Sequence, residues 1–200
     1  MFHTRNLCLL LSLLGFYACT KEPLAPRPAP VPPTVEMEYT DLGNYPIENG
    51  KPGLLLDVNK DGYHDLFFGI MLVGDPIYKV DKLKYQVVSS PYAMLAVNAT
   101  EETPPLSKGT LIPATDFSGH NWFGALAIVL IERIEDVQGR KTWQGNWKNK
   151  TRQFLPFHYT IQNKRLTGWV EISADIAAEK LIMHRMAISK KTDQQVKAGE

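Results

Sequence analysis

Residues 54–69 read LLLDVNKDGYHDLFFG, and their reading decides the fold. Two apolar runs, Leu54 to Leu56 and Leu66 to Phe68, flank a polar turn centred on Asp61-Gly62. Short apolar runs either side of an Asp-Gly turn predict strand, loop, strand. The loop is acidic. Asp57, Asn59, Asp61 and Asp65 follow at intervals of two, two and four residues, and Gly62 comes directly after Asp61.

That spacing is the oxygen-ligand pattern of a calcium loop. Calcium is a hard cation that takes roughly six to eight oxygens in a flexible shell. Asp57, Asn59 and Asp61 would supply side-chain oxygens, Tyr63 its backbone carbonyl, and Asp65 a carboxylate, directly or through water. Gly62 permits the sharp turn because glycine tolerates backbone angles closed to other residues. Position twelve of the loop, where a bidentate glutamate would sit, is Phe68. The expected affinity is therefore in the roughly 10⁻⁴–10⁻³ M range, or another acid completes the shell. The competing reading is a hairpin whose Asn and Asp side chains hold an Asx-rich turn without an ion. Crowding three carboxylates into nine residues favours calcium, because they repel one another unless a cation lies among them.

The segment Asp57-Val58-Asn59-Lys60-Asp61-Gly62-Tyr63-His64-Asp65-Leu66 resembles the acidic loops of FG-GAP and VCBS-type repeats. Those repeats build propellers as arrays. A second copy does not occur in this sequence, so a propeller is not expected.

The chain has 200 residues, of which 44% are hydrophobic, enough for one domain with a real core. Its 22 basic and 21 acidic residues give a formal charge of +1. With the basic residues scattered rather than striped, nucleic acid is not an expected partner. The two cysteines, Cys8 and Cys19, both lie in the first twenty residues, so no disulfide is expected in the domain.

Residues 1–18 read as a lipoprotein signal peptide: Arg5, then an apolar run from Leu7 to Ala18 too short to span a bilayer. Phe16-Tyr17-Ala18-Cys19 resembles a relaxed bacterial lipobox. The resemblance implies a diacylglycerol thioether on Cys19, cleavage before it, and acylation of the new amine. Several acyl chains explain a stable membrane anchor, since one alone is marginal. Thr20-Lys21-Glu22 resembles the surface-export signal of lipoproteins in Bacteroidetes-type bacteria. These features imply a cell envelope location, in the outer membrane and facing the surface. Residues 19–34 form the lipidated cysteine and a tether with six prolines between Pro23 and Pro33. Such a segment favours polyproline II at about 3 Å per residue and reaches roughly 35 Å.

The folded domain is expected at 35–189, followed by a polar, frayed tail at 190–200. Strand signals recur at 35–39, 53–57, 65–70, 84–90, 92–98, 155–161, 166–173 and 180–189, separated by Gly and Pro turns. The run at 125–134 suits a strand or a short buried helix. Many short strands with such turns predict an all-β, antiparallel, jelly-roll-like β-sandwich. The strand Gly168-Trp169-Val170-Glu171-Ile172, the one before it at Phe154 to Tyr159, and the acidic loop resemble a β-sandwich domain of many secreted bacterial proteins. That likeness implies the fold and no activity.

For chemistry, Trp143 and Trp147 stand in WQGNW, flanked by Lys141, Lys148, Lys150 and Arg152. An exposed loop of this kind suits sugar rings, whose apolar faces stack on indole. The alternative is that both indoles pack against the sheets, as expected for Trp169. His64, His120, His158 and His184 have no metal-ligand spacing. No G-x-S-x-G elbow occurs. Ser118 and His120 share one loop, and Asp116, Glu132, Glu135, Asp136 and Glu171 are acids that the sequence cannot pair. The expectation is a non-enzymatic, calcium-stabilised surface lipoprotein with a structural or protein-contact role. The alternative is a glycan binder using Trp143 and Trp147, so a surface protein or a polysaccharide is the expected partner.

Overall fold

The computed structural model describes residues 35–200. The expected signal peptide, Cys19 and the expected proline tether lie outside the described residues. Within them the chain forms β1 (Met37–Glu48), β2 (Leu54–Leu56), β3 (Leu66–Asp75), β4 (Val80–Ser89), β5 (Ala93–Val97), β6 (Leu111–Ile112) and β7 (Asn121–Phe123). There follow β8 (Ala127–Asp136), β9 (Lys141–Gln144), β10 (Gln153–Ile161), β11 (Lys164–Asp175), β12 (Lys180–Ser189) and β13 (Val196–Lys197).

The fold is an all-β antiparallel sandwich. A six-stranded sheet has the order β1-β12-β11-β10-β5-β7, and a five-stranded sheet the order β2-β3-β4-β8-β9. The chain changes sheet after β1, β4, β7 and β9, and those crossings are the jelly-roll-like element. The other connections are meander hairpins, as in β2-β3-β4 and β10-β11-β12. The small pair β13-β6 forms a separate ladder.

Period-two alternation explains which faces meet. In β4, Leu83, Tyr85, Val87 and Ser89 are buried and their neighbours are not. In β11, Val170, Ile172 and Ala174 point inward and join Phe68, Leu130, Leu95 and Phe157 in one core. Each large side chain fully buried there contributes about 1.5–3 kcal/mol. Gly168 of β11 lies where no side chain fits. A Cβ would stand 2.4 Å from the Phe157 ring and 2.6 Å from the Ala187 carbonyl.

The outward face of the six-stranded sheet carries a second, smaller cluster. Phe154, Trp169 and Ala187 pack there beneath Leu106, Ile112, Val196 and Ala198. This corrects the frayed tail. Val196 and Ala198 are buried, and β13 pairs with β6. The 125–134 run is strand β8, not helix. It lies between β4 and β9, where its apolar side chains reach the core. Strict alternation in β12 also fails. The ladder slips between Arg185 and Met183, so His184 and Arg185 escape the core that holds Met183 and Met186. Strand β1 slips at the same level, between Asp41 and Tyr45.

Candidate functional site

The acidic loop joins β2 to β3 at the edge of the five-stranded sheet. The loop closes on its own side chains. Asp57 accepts the amides of Asp61 at 3.2 Å and Gly62 at 2.7 Å, on different oxygens. Asn59 accepts the Asp61 amide at 3.3 Å and donates to the Asp61 carboxylate at 2.8 Å. Asp61 accepts the Tyr63 amide at 2.9 Å. Asp65, 4% exposed, reaches back across the loop to accept the Val58 amide at 2.9 Å. Gly62 has φ of 92°, the left-handed conformation that its place in the spacing demands. Tyr63 turns its ring to solvent, leaving only its backbone in the loop.

The loop also touches the opposite sheet. The Tyr159 hydroxyl of β10 donates to Asp61 at 3.1 Å. Burial and the neighbouring carboxylates push the Tyr159 phenol up to about 12, so it stays a donor. Asp61 is held below the usual carboxylate range, first by the Asn59 hydrogen bond and then by the Tyr63 amide. Asp65 moves the other way. Burial raises it, the Val58 amide opposes, and repulsion from Asp61 and Asp57 raises it further.

This arrangement bears on a cation in two ways. Among the described residues, no three His, Cys, Asp or Glu side chains converge as a ready metal cage. Asp57 and Asp65 instead spend oxygens on backbone amides. The donor chemistry nevertheless fits a hard cation: three carboxylates and one carboxamide, close enough for Asp57 and Asp61 to perturb Asp65. Among the described residues, no Lys, Arg or His forms an ion pair with Asp57, Asp61 or Asp65. Lys60, next to Asp61 in sequence, pairs with Glu38 instead.

The tryptophan pair that the alternative reading gives to sugars does not form a platform. Trp147 is 0% exposed and donates its indole N–H to the Thr103 carbonyl at 3.0 Å. Trp143 packs half-buried on Tyr85, with ring centroids 5.8 Å apart. Trp169 is a packing residue, as expected. Ser118 and His120 do not pair through the hydroxyl, since the imidazole meets the Ser118 carbonyl at 3.1 Å. The acids are spent separately. Glu132 holds Gln144 and Lys84, Glu135 pairs with Arg133, and Asp136 pairs with Arg140.

A second polar cluster was not legible as a unit. On the outward face of the six-stranded sheet, Glu171 is 2% exposed and accepts from Arg152 at 2.8 Å and Arg185 at 2.6 Å. Burial alone would raise its carboxyl. The bonds from Arg185 and Arg152 more than offset this and hold it low. Beside it Ser173 Oγ lies 2.7 Å from His184 Nε2, and His184 Nδ1 lies 2.6 Å from Asn44 Oδ1. The two bulges bring these residues together from three strands. Period-two faces for β11 could have paired Glu171 with Ser173; the bulges in β1 and β12 leave no such trace.

No family profile matches the chain, and comparisons with characterised proteins and with solved structures find no similar protein.

Proposed function

We propose that this chain is a lipoprotein of the bacterial envelope whose β-sandwich is stabilised by calcium and serves a structural or protein-contact role rather than a catalytic one. One observation carries the metal part: three mutually repelling carboxylates gathered in one loop without a basic partner. Asp57, Asn59, Asp61, Asp65 and the Tyr63 carbonyl would hold the ion. Bound there, calcium supplies positive charge that offsets the repulsion. The Tyr159 bond to Asp61 would pass that stabilisation to the six-stranded sheet.

The location rests on Phe16 to Glu22, with Cys19 as the lipidated residue and the membrane as its partner. Thermal melting tests the metal, with calcium and with a chelator of calcium. A chelator-insensitive Tm refutes it. Partition of the expressed protein into detergent phase, lost in Cys19→Ala, tests the anchor. The glycan reading loses Trp147 as a contact, because a buried indole offers no face to a ring.

A further inference from the structure

Two arginines, Arg152 and Arg185, share the buried Glu171 carboxylate. One guanidinium can serve both oxygens of a carboxylate in bidentate contact. Here two guanidiniums each give one bond, and their side chains stay 62% and 40% exposed for Arg152 and Arg185. Arg carries five N–H donors in a rigid fork, so each guanidinium keeps donors that Glu171 does not take. Glu171 thus acts as a buried post that fixes two cationic forks at the surface. Arg185 is further fixed by lying 5.2 Å over the Trp169 ring.

The forks open onto a cleft of about 380 Å³, lined by Tyr39, Thr40, Asp41, Asn44, His184 and the two arginines. Tyr39 is 51% exposed and braced edge-on against Trp169, with centroids 6.2 Å apart. Asp41 spends one oxygen on the Gly43 amide and keeps the other. The cleft therefore offers cationic forks, an aromatic face and a hydroxyl acceptor side by side.

We propose that this cleft binds an acidic sugar residue, with its carboxylate on Arg152 and Arg185, its ring against Tyr39 and a hydroxyl on Asp41. A small inorganic anion fits less well, because Asp41 repels it and Tyr39 gives it nothing. A neutral sugar leaves the forks unmet. The Ser173–His184–Asn44 chain positions rather than attacks. Ser173 is 7% exposed, and its hydroxyl already accepts the Arg152 amide at 2.9 Å. That chain fixes the imidazole at the floor of the cleft. Burial, and then Arg152, hold His184 below its ordinary value, while Glu171 opposes and Arg185 adds to the lowering.

The test is titration of the purified full chain with uronate oligosaccharides (galacturonate, guluronate and glucuronate-containing), their methyl esters and inorganic phosphate. Binding of a uronate, weakened at least tenfold by Tyr39→Ala and by Arg152→Gln, supports the site. Lost binding by its methyl ester supports it again. In the NMR titration of the wild type, the bound carboxylate moves the His184 transition to higher pH. Because Tyr39 is exposed, its variant separates recognition from folding should Arg152→Gln unfold. Failure of every uronate to bind at millimolar concentration overturns the proposal. Equal binding of esters, or phosphate matching the best uronate, overturns it too. None of these results depends on calcium.

Discussion

His158 makes stability depend on pH in a way that can be worked through. Its imidazole is 0% exposed on β10. The Pro113 carbonyl, 2.9 Å from Nε2, can only accept, so Nε2 carries the proton. Nδ1 has no partner among the described residues, and Trp122 stacks on the ring at 3.6 Å between centroids. A second proton on Nδ1 would be a buried charge without a partner. Burial therefore lowers the His158 value from 6.5 to about 4. The unfolded chain takes up its proton first as pH falls. The stability that the neutral ring contributes is whole above about pH 6.5 and is lost as pH falls to about 4. At about 1.4 kcal/mol per pH unit, the loss is on the order of 3 kcal/mol. Urea denaturation from pH 4 to pH 8 reads it, compared with His158→Gln, whose amide can still donate to Pro113. The wild type should lose stability more steeply below pH 6.5 than the variant. An NMR titration of the wild type is the independent check. A His158 transition at or above 6.5, or parallel pH profiles, refutes the reasoning.

Asp65→Asn keeps an acceptor for the Val58 amide but removes a repelled charge, so in chelator its Tm should equal or exceed that of the wild type. At about 2 mM calcium and a Kd of roughly 10⁻⁴–10⁻³ M, the wild type gains about 0.6–1.8 kcal/mol, a few degrees in Tm; calorimetry should find most of that gain missing in the variant. Gly168→Ala forces a Cβ against the Phe157 ring and the Ala187 carbonyl and should cost about 1–3 kcal/mol in urea denaturation. Trp147→Ala empties a 0% exposed site and should cost about 3–5 kcal/mol. A cost under about 1 kcal/mol would mean that the indole is not the core residue described.

What the sequence revealed and what it hid have physical reasons. Strands β10, β11 and β12 were legible because Gly or Pro turns and apolar strand formers mark them, and β12 coincides with the predicted 180–189, whereas the signals at 35–39, 65–70 and 84–90 caught only part of β1, β3 and β4. Strands β6, β7, β9 and β13 run only two to four residues, too short for a period to register. Trp147 looked exposed because lysines flank it. The chain turns at Gly145, whose φ is 110°, and the indole swings beneath while Lys148 and Lys150 stay out. Val196 and Ala198 looked like tail because their cover comes from Leu106 and Ile112, distant in sequence. The acidic loop was readable as spacing, and its hydrogen bond to Tyr159 was not, since ninety-eight residues separate the partners. The Glu171 cluster depended on two bulges, and a bulge is a local slip in register that no periodicity records.

The paired slips in β1 and β12 have one more effect. A sheet with a long straight border invites a neighbouring molecule to add a strand. Three border strands of this sandwich, β2, β7 and β9, are only three or four residues long, and β2 covers just Leu66–Phe68 of β3, which leaves Gly69–Asp75 as border. The fourth, β1, is twelve residues long, but Gly43 and Asn44 break it with left-handed turns in its middle. Along β1, copies crowded side by side would find no uninterrupted ribbon to zip onto.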